Sequence, residues 1–213
     1  MLCHACCPAH DELPEQVSAF EGAGAGQKAY RGAEEATDAS YPALVTGDVT
    51  SFIASLDVSD PHCIIVKDLR FFAAWNADLR HEQVEVFDQV LQMNEEACSS
   101  TSLRASLGRG AIPMRLILRK PDERLVAIDR ERDLGLDINF RRKVSIKPWI
   151  ASVREGPLEQ WNQAKPNLRV MPHDRILAIN GVAGEPAELV QKLWDPKLSN
   201  LFLTVLHYNV SQL

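Results

Sequence analysis

From about residue 41 the chain reads as short apolar runs, mostly four to seven residues long, separated by turn residues. That is the texture of strands rather than of long helices. The pattern predicts strands at Ala43–Thr46, Ile53–Val58, Cys63–Val66, Val84–Val86 and Val90–Met93. It predicts further strands at Arg115–Leu118, Leu125–Ile128, Leu136–Phe140, Val144–Ile146, Arg175–Ile179 and Leu201–Leu206. Few stretches carry a helical period. Glu185–Trp194 does, with Pro186 suited to a first turn and Leu189, Val190 and Leu193 on one face. Pro157–Ala164 is a shorter helix. Residues 8–40 differ in kind: seven acids, two bases, glycines at 22, 24 and 26, and few β-branched side chains. Such a segment buries too little apolar surface to offset its ordering entropy, so residues 1–40 are expected to be disordered. The glycine run lacks the spacing of a phosphate loop and follows no strand, and it reads as a flexible linker.

The later part of the chain repeats itself. Trp75-Asn76 recurs as Trp161-Asn162, and the same offset of 86 gives nine identities in 33 positions, among them Val84/Val170, Asp88/Asp174, Asn94/Asn180 and Leu103/Leu189. Upstream, Leu56-Asp57-Val58 matches Leu136-Asp137-Ile138 at an offset of 80. Two copies of one domain follow, residues 41–120 and 121–208, with a free C-terminal tail at 209–213. Only Pro121-Asp122-Glu123 separates the copies, so the expectation is a fixed tandem and not two freely tumbling domains.

Three stretches of the second copy carry a family likeness: Leu134-Gly135-Leu136-Asp137-Ile138, then Pro172–Val182 with its Asp-Arg-Ile-Leu-Ala-Ile-Asn-Gly run, then the Glu185–Trp194 helix. Together they resemble a PDZ domain across nearly the whole second copy. The resemblance implies a mainly β fold of two PDZ-like, partly open barrels or sandwiches, each of five to six short strands capped by about two helices. It implies that the amides of Leu134, Gly135 and Leu136 receive the carboxylate of a partner protein's C-terminal peptide. Successive backbone N–H groups suit that task, because they make an anion-binding concavity that glycine lets a ligand approach closely. The peptide would add as a strand beside Asp137, Ile138, Asn139 and Phe140, against a helix face made by Glu185, Pro186, Leu189, Val190 and Leu193. Arg130 and Arg132, just upstream, would add positive field for the carboxylate.

This sequence departs from the family's pattern at three places. Asp133 stands at the loop's usual first glycine, where a carboxylate repels a ligand carboxylate unless it is turned outward. His173 replaces the glycine before Asp174. Glu185-Pro186 stands where Ser/Thr-selective members place a histidine, so a basic ligand residue is expected there instead. The first copy is degenerate: Ile53-Ala54-Ser55-Leu56 has no glycine, Glu95-Glu96 replaces Gly181-Val182, and the polar helix counterpart Ser99–Leu107 turns only Leu103 and Leu107 inward.

Composition sharpens this picture modestly. The 213 residues carry 23 Lys+Arg against 29 Asp+Glu, a net charge of −6, which argues against a nucleic-acid partner. The excess acid lies in residues 1–120, at −7, whereas residues 121–213 stand at +1. Five cysteines, three of them at positions 3, 6 and 7, do not form a disulfide scaffold and point to a reducing, cytoplasmic setting. Cys3, Cys6 and Cys7 are candidate acylation sites, the one route to membrane association the sequence offers. They match no standard zinc spacing, and no metal or cofactor is expected. There is no nucleophile elbow, zincin motif or Walker pattern, and Cys63 beside His62 is the only nucleophile-like pair. Arg141-Arg142-Lys143 reads as a solvated hairpin tip, and Val210–Leu213 ends in the Ser-x-Leu form that many PDZ domains bind. The function expected is that of a monomeric, non-enzymatic adaptor or scaffold. The alternatives are a regulatory fragment that accompanies an enzyme such as a protease, and a structural tandem with inactive grooves.

Overall fold

The computed structural model describes residues 40–107, 111–129 and 133–210. The fold is mainly β: two six-stranded antiparallel sheets, open rather than closed, with few helices. The first sheet orders its strands β1 (Ser40–Asp48), β6 (Ala111–Arg119), β4 (Gln89–Met93), β3 (Ile65–Val66) and β2 (Leu56–Asp57), with β5 (Glu96–Ala97) paired to β4. The second repeats this order with β7 (Asp122–Asp129), β12 (Asn200–His207), β10 (Arg175–Ile179), β9 (Trp149–Val153) and β8 (Leu136–Asn139), and β11 (Val182–Ala183) pairs with β10. Helices α1 (Val49–Ala54), α2 (Ala73–Asn76) and α3 (Ser100–Ser106) accompany the first sheet; α4 (Pro157–Ala164) and α5 (Pro186–Leu193) accompany the second.

The repeated residues make repeated bonds. Asn76 donates from Nδ2 to Val84 O at 2.8 Å and accepts from Val84 N at 2.9 Å; Asn162 does the same with Val170 at 2.9 and 2.8 Å. Trp75 Nε1 donates to Glu82 O and Trp161 Nε1 to Leu168 O, at 3.0 and 3.3 Å. Asp88 and Asp174 each accept a backbone N–H three residues back, from Glu85 and Met171. Asn94 and Asn180 share φ 52°, and each closes its hairpin by accepting from the opposite strand, from Arg115 N and Phe202 N. A register shift falls between Val90 and Gln92 in one sheet and between Ile176 and Ala178 in the other. The Trp-Asn pair therefore works as a local clamp: its side chains satisfy backbone groups that no ladder reaches.

Several predicted elements take another form. Ile53–Val58 is not one strand. Asp48 caps a helix by accepting from Ser51 N at 2.8 Å, Val49 and Phe52 bury one face three residues apart, and only Leu56–Asp57 is extended. Val84–Val86 forms no strand, because Asn76 already holds both backbone groups of Val84. Val144–Ile146 lies in a turn, and Ile146 N donates to Asp57 Oδ2 at 2.8 Å. Strand β9 lacks a sequence signal, since Trp149–Val153 follows Pro148 with no clear alternation. In α3, Leu103 is buried as expected, but Leu107 is exposed where the helix ends.

Each sheet closes over its own apolar core. One gathers Val45, Phe52, Leu56, Phe72, Met114 and Leu116; the other gathers Val126, Leu134, Leu136, Ile176, Leu189 and Leu193. A third cluster joins the two lobes, with Cys63 and Ile65 against Leu206 and Tyr208, edged by Phe87, Ile146 and Leu177. Within it Arg175 is fully buried, and its Nη1 meets Asp57 Oδ2, equally buried, at 2.8 Å. Arg175 also reaches Lys147 O at 3.3 Å and Cys63 O at 3.4 Å. Nearby, His173 Nδ1 lies 2.8 Å from Asp60 Oδ2, and Tyr208 Oη donates to Phe87 O at 3.1 Å. The described residues accordingly form one compact unit.

Removing one partner of a buried pair leaves the other charge uncompensated. Asp57→Asn is expected to cost about 3–5 kcal/mol in urea denaturation. The apolar double replacement Asp57→Leu with Arg175→Met should recover only part of that loss, because Ile146 N and Ser59 N lose their acceptor. A cost for Asp57→Asn below about 1 kcal/mol, the range of a surface pair, would show that the contact does not hold the lobes.

Candidate functional site

The expected groove is built from the loop Asp133–Leu136, strand β8 and helix α5. Gly135 has φ +73°, and a Cβ there would meet Arg154 O at 2.7 Å and Glu155 O at 2.8 Å. The glycine lets this loop lie directly on the segment that follows β9, where Arg154 N donates to Gly135 O at 2.6 Å. Leu134 and Leu136 then point into the core. Strand β8 pairs with β9 and ends the sheet, so its outer edge has no strand partner among the described residues.

The structure divides the expected groove residues into three groups. Leu134, Leu136, Leu189 and Leu193 are core, each no more than 2% exposed, and Pro186 is buried with them. Ile138, Phe140 and Val190 are half-buried, and Ile138 packs against the same apolar cluster that holds Leu189 and Leu193. Asp137, Asn139 and Glu185 are exposed. The open apolar surface of the groove is thus narrower than the sequence suggests: Ile138, Phe140 and Val190 offer it, and Ile138 rests on the cluster that holds the four leucines. Arg130, Arg132, Cys3, Cys6, Cys7 and the last three residues lie outside the described residues.

Two cations that the sequence did not single out govern the charge here. Arg154 contacts Asp137 at 3.0 Å and Asp133 at 3.5 Å. Ser152 Oγ donates to Asp137 Oδ2 at 2.5 Å, and this bond, with those from Arg154, holds the Asp137 carboxyl below its ordinary range. Lys147 Nζ donates to Gly184 O at 2.6 Å just ahead of α5. Burial lowers the Lys147 ammonium, opposed by the field of Glu185 and Glu188. Glu185 therefore already faces a cation of its own chain, and Glu188 Oε2 accepts from Glu185 N at 3.1 Å. Both cations became visible only with β9, whose pairing sets Asp137 opposite Ser152.

His173 sits at φ 77°, as the glycine it replaces would, and its ring faces Asp60 instead of the groove. The equivalent residue of the first lobe, Phe87, has φ 81°. In that lobe Ser55 takes the place of Gly135, because Lys67 N donates to Ser55 O at 2.8 Å as Arg154 N does to Gly135 O. Ser55 has φ −83°, and its N–H is given to Ser51 O and Phe52 O at the end of α1. Helix α1 thus uses the amide that a carboxylate loop would present, and the adjoining Asp57 side chain is turned to the second lobe.

Among the described residues, no group of three or more His, Cys, Asp or Glu is placed to hold a metal, and no helix is long and apolar enough to cross a membrane. Burial raises the thiols of both Cys63 and Cys98, the latter to about 12, which leaves neither as a thiolate near neutral pH.

No family model matches the chain, and no curated protein matches it. Among solved structures, the second PDZ domain of Dlg1 from the choanoflagellate Monosiga brevicollis matches at 18% identity. The match covers 41% of this chain and 100% of that one, with a TM-score of 0.34.

The Arg154 clamp has a direct readout. Carboxyl NMR titration should place the Asp137 midpoint below the ordinary value of about 3.9, and Arg154→Ala should move it upward. Because the folded value is depressed, the associated stabilisation is complete above pH about 4 and fades as the pH falls through the lowered midpoint. An Asp137 midpoint indifferent to Arg154→Ala would show that the guanidinium does not hold it.

Proposed function

We propose that the chain is a non-enzymatic protein-interaction module whose second lobe binds an extended segment of another protein by strand addition along β8. The observation that carries this reading is the open edge of β8. That edge is bounded at one end by a loop folded around Gly135, and its strand shares an apolar cluster with α5. An unpaired strand edge presents N–H and C=O groups that a partner backbone satisfies, and half-buried Ile138 and Val190 supply the side-chain contacts. The first lobe serves as a support: its counterpart loop is closed by α1 and its Asp57 is committed to Arg175. The likeness of the Leu134–Ile138, Pro172–Val182 and Glu185–Trp194 stretches to PDZ domains supports the same reading.

The test uses the full chain against a displayed library of short random peptides. Binders are expected to slow amide exchange at Asp137–Phe140, and N-methylation of alternate peptide amides should abolish binding. Val190→Lys should weaken binding about tenfold, because an ammonium must be desolvated in the groove. Absence of binders, or binders whose protection lies away from β8 and which tolerate Val190→Lys, would overturn the proposal.

A further inference from the structure

The loop that would receive a ligand carboxylate already holds one. Gly135 N donates to Asp133 Oδ1 at 3.3 Å, and Asp133 Oδ2 lies 3.5 Å from Arg154 Nη2. Asp133 is not turned away from the loop, as a terminal-carboxylate receptor would require; it lies across the loop's central amide. The same guanidinium also holds Asp137, through Nη2 to Oδ1 at 3.0 Å and Nε to Oδ2 at 3.2 Å. Among the described residues, one cation therefore serves two carboxylates at this loop, a balance of −1 for these three side chains. A free C-terminus arriving here would have to displace Asp133 from Gly135 N and would bring a third negative charge to one guanidinium. All three side chains are about half exposed, so salt screens this repulsion without removing it.

We propose that the second lobe takes an internal strand of a partner protein, one whose chain continues past the loop, and that Asp133 occupies the place of the terminal carboxylate. This rests on the strand-addition reading above and adds the class of ligand. A segment without a terminal charge leaves the Asp133–Gly135 bond intact and still gains the edge of β8. The partner class is therefore an edge strand or hairpin arm of a folded protein rather than a free tail.

The experiment presents each binder from the peptide library to the full chain in three forms: free carboxylate, C-terminal amide, and the same sequence within a disulfide-closed hairpin. The amide and the hairpin are expected to bind the unaltered chain, with the free carboxylate about tenfold weaker. Asp133→Gly and the isosteric Asp133→Asn should both narrow or reverse that ratio by strengthening the carboxylate form. The ratio is taken within each variant, so a loss of folded protein cancels. A preference of the unaltered chain for the free carboxylate, or a ratio that neither variant moves, would overturn this inference and leave strand addition standing. Failure of all three forms with all three proteins would overturn strand addition itself.

Discussion

Arg175 lies fully buried in the middle of the second sheet, and a guanidinium cannot shed its charge as a buried lysine or carboxyl can. Something must bring it a counter-charge, and that counter-charge comes from the other lobe. Asp57 meets it at 2.8 Å while accepting Ile146 N with the same oxygen and Ser59 N with the other. One oxygen of that carboxylate thus joins the lobes, while the other holds the turn that follows β2. Separating the lobes would hydrate the pair but expose Cys63, Ile65, Leu206 and Tyr208, so the apolar contact and the ion pair enforce each other. Arg175 Nε has no protein acceptor, which suits a pair that secures a unique arrangement more than it adds net stability.

The two lobes share a strand order, yet equivalent positions make different contacts. Asp57 and Asp137 are equivalent positions, yet Asp57 is buried against Arg175 and Asp137 is exposed on Arg154. Ser55 and Gly135 are equivalent, yet a serine in the right-handed helical region ends α1, whereas a glycine at φ +73° opens a loop. Even the matched left-handed residues diverge: Phe87 offers its carbonyl to Tyr208, and His173 offers its ring to Asp60. A non-glycine residue in that region carries a strain cost, and here both lie at the contact between lobes.

The repeat was legible because it rests on residues whose bonds are local. Trp75-Asn76 and Trp161-Asn162 each close a loop of eight residues, so the same spacing recurs wherever the same loop does. The α4 and α5 helices were legible for a similar reason, since Pro157 and Pro186 sit in their first turns. What stayed hidden depends on partners far apart in sequence. Nothing near Arg154 predicts that it will hold Asp133 and Asp137, because that follows from β9, a strand without a clear alternation. Nothing near Asp57 foretells Arg175, which lies 118 positions away. Ile53–Val58 misled because a short apolar run does not distinguish a helix turn from a strand, and the Asp48 cap decides between them.

The net charge of the chain says little about the groove, where charge is arranged locally. At the loop, Arg154 stands between Asp133 and Asp137; at the start of α5, Lys147 stands in the field of Glu185 and Glu188. At the loop one cation is paired with two carboxylates, although residues 121–213 as a whole carry +1. On the proposed strand addition, the charge at the loop would disfavour acidic segments over neutral or basic ones within a Debye length. The apolar part of the groove is reduced to half-buried Ile138, Phe140 and Val190. On the proposed strand addition, selection in this lobe would rest on backbone pairing along β8 and on the charge held beside its loop.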